Sequence, residues 1–183
     1  STGVRGLDLE NGKELWALPD VFKERCIVSP LSIVAGGGPE GSIITAGCKR
    51  EGGNNVFLAL QPPVAGTGRA RLLWQLEQDA PYVPTPVSDG KTLFVLSDRG
   101  VLQAVDPRSG KAQWTTKLTG NFYASPLLAG TTMLCLSRDG ELYSIDVGVE
   151  PRVLGVHDLE PGEEVTWVDS SPALVQNLSL IHI

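Results

Sequence analysis

Short apolar runs separated by turn residues fill the second half of the chain. Residues 93–97 (LFVLS) lead through Asp98-Arg99-Gly100 into residues 101–106 (VLQAVD), and residues 113–118 follow a Ser-Gly-Lys turn. Forty residues on, the pattern returns as residues 133–137, Arg138-Asp139-Gly140, residues 141–146 and residues 152–156. Runs of this length bounded by Gly predict strands, because a helix needs a longer periodic stretch. Along residues 141–146, Leu142 and Ser144 share one face and Tyr143 and Ile145 the other, the period-two pattern of a strand. Gly tolerates the positive φ of a tight hairpin turn, so each of these turns ending in Gly predicts an antiparallel pair. A first strand at residues 123–128 carries Ser125-Pro126. Proline cannot donate to a ladder, which places that strand at a sheet edge, lining a central channel. One repeat therefore reads as four antiparallel strands.

The repeat is marked twice in each copy. Asp8-x-x-Asn11-Gly12-Lys13-x-x-Trp16 recurs as Asp106-x-x-Ser109-Gly110-Lys111-x-x-Trp114, with weaker copies running from Leu60 to Trp74 and from Asp146 to Leu154. Ser29-Pro30, Thr85-Pro86, Ser125-Pro126 and Ser171-Pro172 keep step, at intervals of 56, 40 and 46 residues. A period near forty is the size of one four-stranded propeller blade. The predicted fold is all-β, a β-propeller with about three complete blades and a partial blade at each end. Residues 1–18 are the end of one blade, 27–76, 83–118 and 122–157 are whole blades, and 165–175 hold the first strand of the next. Insertions at residues 36–41, 51–55 and 62–69 fall where hairpin loops belong. Residues 177–183 break the pattern and read as a tail foreign to the repeat, with no Asp-Gly hairpin from which to build a second strand. The expectation is an internal piece of a larger propeller, an open arc whose missing neighbours are the remaining blades of its parent.

The segments around Asp8, Gly12 and Trp16, and around Asp106, Gly110 and Trp114, resemble the tryptophan-docking repeat of the quinoprotein-type propellers, and the resemblance covers nearly the whole chain. It implies seven or eight blades in a complete member and says nothing of chemistry, since the superfamily holds pyrroloquinoline-quinone dehydrogenases, a propeller lipoprotein of the bacterial barrel-assembly machinery and cofactor-free proteins. The same resemblance implies an exported bacterial protein, periplasmic, secreted or envelope-associated. Trp16, Trp74 and Trp114 are expected to pack between blades. Asp8, Asp106 and Asp146 are expected to accept hydrogen bonds from their turn backbones.

Composition narrows function further. Twenty-one Gly and thirteen Pro suit a chain of frequent turns. A net charge of −6 without a basic stripe argues against a nucleic-acid partner. Cys26, Cys48 and Cys135 lack Cys-x-x-Cys spacing and a neighbouring His, so they read as buried, inert thiols and no metal site is assigned. Gly36-x-Gly38-x-x-Gly41 matches a dinucleotide fingerprint in letters only, since the β-branched stretch Ser42-Ile43-Ile44-Thr45 follows where a helix is required. His157 has no nucleophile elbow to serve and leads into an acidic stretch, Asp158, Glu160, Glu163 and Glu164, that reads as a solvated loop. Asn177-x-Ser179 is a formal glycosylation sequon that overlaps the tail. The quinone, calcium, base and adjacent-cysteine set that the dehydrogenase resemblance implies is not legible, so no cofactor, no catalytic residue and no enzyme activity is expected.

One surface carries a functional expectation. Arg25, Tyr82, Phe122, Tyr123 and Trp167 each lie three to five residues ahead of a repeated Pro. Aromatics with Arg are typical of binding hot spots, so these five are the candidate face for a protein or peptide partner. The reading is a non-catalytic scaffold or binding module. The alternative is a fragment of a quinone-dependent dehydrogenase.

Overall fold

The computed structural model describes residues 3–34, 41–50, 55–64, 68–76, 78–159, 167–175 and 178–180. They form strands and turns in two compact units, residues 1–82 with 106–111, and residues 83–105 with 112–183. In the first unit β1 (Val4–Leu7) and β2 (Glu14–Leu18) make the predicted two-stranded end of a blade. The next blade is β3 (Leu31–Val34), β4 (Ser42–Cys48), β5 (Val56–Gln61) and β7 (Arg71–Gln75), in the order β3-β4-β5-β7. Between its last two strands, β6 (Gly68–Arg69) leaves the blade and pairs parallel to β2, at Trp16↔Gly68 and Ala17↔Arg69. The insertion at 62–69 is thus more than a hairpin loop: its end satisfies an edge that β2 would otherwise leave unpaired.

The second unit holds two blades of identical plan. One is β8 (Val87–Ser88), β9 (Leu93–Leu96), β10 (Val101–Val105) and β11 (Ala112–Lys117). The other is β12 (Leu127–Ala129), β13 (Thr132–Leu136), β14 (Glu141–Asp146) and β15 (Arg152–Asp158). Both are antiparallel sheets in simple chain order. The first strands are shorter than expected and start after the proline, because a residue without an N–H cannot enter the ladder. β16 (Ala173–Val175) pairs with β17 (Leu178–Leu180), so a second strand does follow the Ser171-Pro172 marker. Asp-Gly is a common way to connect an antiparallel pair and not a requirement.

The repeated turn has one geometry. Asp8 Oδ1 accepts the amides of Glu10 and Asn11 at 2.8 and 3.2 Å, and Asp106 Oδ1 accepts those of Arg108 and Ser109 at 3.0 and 2.7 Å. The amides of Gly12 and Gly110 donate to the Asp8 and Asp106 carbonyls, and both glycines sit at φ +71°, where a β-carbon is strained. The Ser109 hydroxyl and amide hold the Asp106 carboxyl below its ordinary range. Each turn follows a β-bulge at one slot, between Gly6 and Leu7, Ala59 and Leu60, Ala104 and Val105, and Ser144 and Ile145. A bulge increases local twist. Asp146 has the short form of the turn, accepting from Gly148 at 3.1 Å.

Apolar side chains of neighbouring sheets make the core. Phe94, Leu102, Ala104, Phe122, Met133, Tyr143 and Ile145 pack into one buried cluster across the two blades of the second unit, with Trp114 against it. Val4, Leu18, Ala46, Leu58 and Leu60 do the same between the two sheets of the first, covered by Trp16, whose indole also lies over Gly6. Buried Ser97 and Ser137 are matched: each hydroxyl accepts the amide four residues on, Val101 or Glu141, at 3.0 Å.

Candidate partner-binding site

The segments that lead into the first strands are tied to one another by the Ser/Thr-Pro marker. Ser125 Oγ accepts the Thr85 amide at 3.0 Å, and Ser171 Oγ accepts the Ser125 amide at 2.9 Å. Each hydroxyl fills a neighbour's unpaired donor. The sequence shows the serines, yet this use of them follows only from the blades standing side by side. A second set of bonds holds the residues just upstream: the Phe122 amide donates to the Asp98 carbonyl at 2.8 Å and the Val168 amide to the Arg138 carbonyl at 2.9 Å.

On that frame the structure gathers Tyr123 and Trp167 around Arg138. The guanidinium carbon lies 4.2 Å from the Tyr123 ring centroid and 4.4 Å from that of Trp167. Its Nε and a terminal nitrogen donate to the two carboxylate oxygens of Asp169 at 2.7 and 3.3 Å. This hydrogen bonding raises the guanidinium's proton affinity further. Each cation–π contact at an exposed site contributes about 0.5–1 kcal/mol, and the ion pair, whose carboxylate is half exposed, about as much or less. The result is a fixed stack with Trp167 on the outside, 54% exposed.

Arg138 was legible only as a hairpin turn. It occupies the slot of Asp98 in the preceding repeat, where the carboxylate accepts the Val83 amide at 3.2 Å. A cation replacing an acid at one repeat position is the signal available in the sequence.

In the first unit Arg25 and Tyr82 also meet. The Arg25 guanidinium stands 5.7 Å from the Tyr82 centroid and donates to the phenolic oxygen, and Lys49 Nζ lies 5.8 Å from the same ring. Phe122 departs from expectation. It is fully buried, with its ring 5.9 Å from Tyr143, and is core rather than candidate face. Next to Tyr123 in the chain, it points to the opposite side.

The remaining chemistry is sparse. Cys48 and Cys135 are buried but Cys26 is exposed, a correction to the reading of three buried thiols. Cys26 lies outside the strands, where no ladder fixes which way its side chain faces. His157 and Asp158 are exposed on β15. Gly36 and Gly38 of the fingerprint, Glu160, Glu163 and Glu164 of the acidic stretch, and Asn177 of the sequon lie outside the described residues. Among the described residues no group of three His, Cys, Asp or Glu is placed to hold a metal, and no helix is long and apolar enough to cross a membrane.

A family model described as outer membrane protein assembly factor BamB matches residues 1–150. BamB from Moraxella catarrhalis is similar over 90% of this chain and 45% of its own, with a TM-score of 0.62 and 19% identity. The computationally designed Ika8 protein is similar over 96% of this chain and 48% of its own, at TM-score 0.68 and 14% identity. A europium-containing methanol dehydrogenase follows at TM-score 0.52 and 14% identity, over 68% of this chain and 24% of its own. Identities this low speak for the fold alone. The chain spans about half the length of the first two structures. No curated protein matches it.

Proposed function

Because the chain belongs to the family of the outer membrane protein assembly factor BamB, we propose that it is a non-catalytic propeller module of an exported, envelope-associated bacterial protein that holds a protein partner. The observation that supports this reading most is the Tyr123–Arg138–Trp167 stack with Asp169. An indole held rigid before binding loses little rotamer freedom on association, and a Trp or Tyr ring buries about 150–250 Å² when covered. Trp and Arg are the residues enriched in hot spots. Within the first unit, Arg25 and Tyr82 are a separate pair of the same chemistry.

A photo-crosslinking amino acid placed at position 167 of the full-length protein tests the reading. It should capture a protein partner in cells, with Arg138→Ala lowering the yield at least tenfold while circular dichroism stays unchanged. Failure of position 167 to crosslink in a folded protein, or equal yields with and without Arg138, would overturn it.

The dehydrogenase-fragment alternative rests on the likeness to methanol dehydrogenase. The residues described here do not fit a quinone and its calcium. The buried polar side chains among them are Thr45, Ser97, Gln103 and Ser137, all neutral, and no acidic cluster is placed for a metal. Adding pyrroloquinoline quinone with calcium to the full-length protein should produce no cofactor absorbance band, and stoichiometric quinone binding would favour the alternative.

A further inference from the structure

The chain around Cys26 runs antiparallel to the end of β4. Leu31 pairs with Thr45 where β3 and β4 meet, and further along the same approach the Lys49 amide donates to the Arg25 carbonyl at 3.0 Å. Between those points, a β-carbon built on Gly47 would sit 3.5 Å from Val28 Cγ2. The Arg25–Lys49 bond makes Cys26 and Cys48 the next residues along the two antiparallel runs, and the Cys48 thiol acts electrostatically on Cys26. Facing residues of antiparallel chains have α-carbons about 4.5–5.5 Å apart in a regular ladder, within the span a disulfide bridges.

The two thiols differ in setting. Cys48 ends β4 and is buried, whereas Cys26 is exposed and its sulfur donates weakly to the Glu24 carbonyl at 3.6 Å. Partial burial raises the Cys26 proton affinity first, and the neighbouring Cys48 thiol raises it further. The third cysteine is a contrast: Cys135 is fully buried and pushed up to about 12 by desolvation.

We propose that Cys26 and Cys48 are a redox pair that closes into an intrachain disulfide, stapling the segment that carries Arg25 to the end of β4. The inference is independent of any partner-binding role. Its oxidant is a disulfide of small-molecule or protein origin. Beside the pair, a cavity of about 290 Å³ lined by Lys23, Lys49 and Arg50, with Glu24 opposing them, favours an anionic reagent, so glutathione disulfide is the probe. The Cys26 thiolate attacks one sulfur of the probe, the S–S bond breaks and one glutathione leaves. Cys48, deprotonated in turn, attacks Cys26 Sγ and releases the second. The two protein thiols lose two electrons and form one S–S bond, the probe gains those electrons as two thiols, and the two cysteine protons end on them. The raised proton affinity of Cys26 keeps its thiolate scarce near neutrality, which makes this a slow structural staple rather than a fast sensor.

The experiment treats the folded chain with glutathione disulfide at mildly alkaline pH, then unfolds and alkylates it for mass spectrometry. Expected are a loss of two hydrogens, one alkylated thiol at Cys135, and a peptide linking Cys26 to Cys48. In Cys26→Ser, an exposed substitution that leaves the core intact, Cys48 and Cys135 should both be alkylated with no linked peptide. Three alkylated thiols after treatment, a persistent glutathione adduct on Cys26 with Cys48 still alkylated, or a link that includes Cys135 would each overturn the proposal.

Discussion

Trp74 and Gly110 fit together as ring and floor. The indole Nε1 donates to the Pro107 carbonyl at 2.9 Å, and a β-carbon on Gly110 would come within 2.6 Å of the ring. Glycine is required here twice over, by the φ of +71° and by the ring that occupies the space.

Gly110→Ala should therefore destabilise the protein by about 1–3 kcal/mol, from overpacking and from strain at positive φ. Gly12→Ala is the control: it has the same φ with nothing within 4 Å, and should lose less. Urea unfolding of both variants measures the difference. Equal losses would show that the ring contact contributes nothing.

Truncation should separate core from surface among the aromatics ahead of the prolines. Phe122→Ala is expected to lose about 3–5 kcal/mol, the range for a buried large aromatic. Trp167→Ala, at an exposed position, should lose no more than about 1 kcal/mol. The same unfolding curves read both, and a reversed order would invalidate the register of this segment.

The serine relay gives a local prediction. Ser171→Ala removes the acceptor of the Ser125 amide, and Ser125→Ala that of the Thr85 amide. Each should lose about 0.5–1.5 kcal/mol, the net worth of one hydrogen bond. Hydrogen exchange should quicken at the orphaned amide, and unchanged protection would show that the hydroxyl is not its partner.

The Asp106 turn makes stability depend on acid. Its folded carboxyl lies below the ordinary value of about 3.9, so its contribution is present above that pH and is lost as pH falls through the folded value. Asp106→Asn, which keeps an acceptor oxygen but cannot titrate, should be less stable than the parent near neutrality, and the gap should narrow with acidification. Unfolding midpoints across the acid range test this, and a gap that does not change with pH would rule it out.

What the amino-acid order determined by itself was everything that closes over a short stretch of chain. Asp98-Arg99-Gly100 and Arg138-Asp139-Gly140 announce hairpins, Asp106 to Lys111 a turn, and Pro126 the limit of a strand, because each depends on backbone freedom or a donor within a few residues. Sequential hairpins then yield four-stranded sheets, and the forty-residue period yields the propeller. Tertiary structure decided what lies across a gap. Phe122 and Tyr123 are adjacent and chemically alike, and only the blade standing opposite puts one in the core and the other under Arg138. Arg138 finds Asp169 across 31 residues. The segment around Cys26 meets the end of β4 through the Arg25–Lys49 bond. Gly68 and Arg69 leave their loop to cover the edge of β2. No local propensity encodes these meetings, since each depends on which surface the packing of whole sheets brings near.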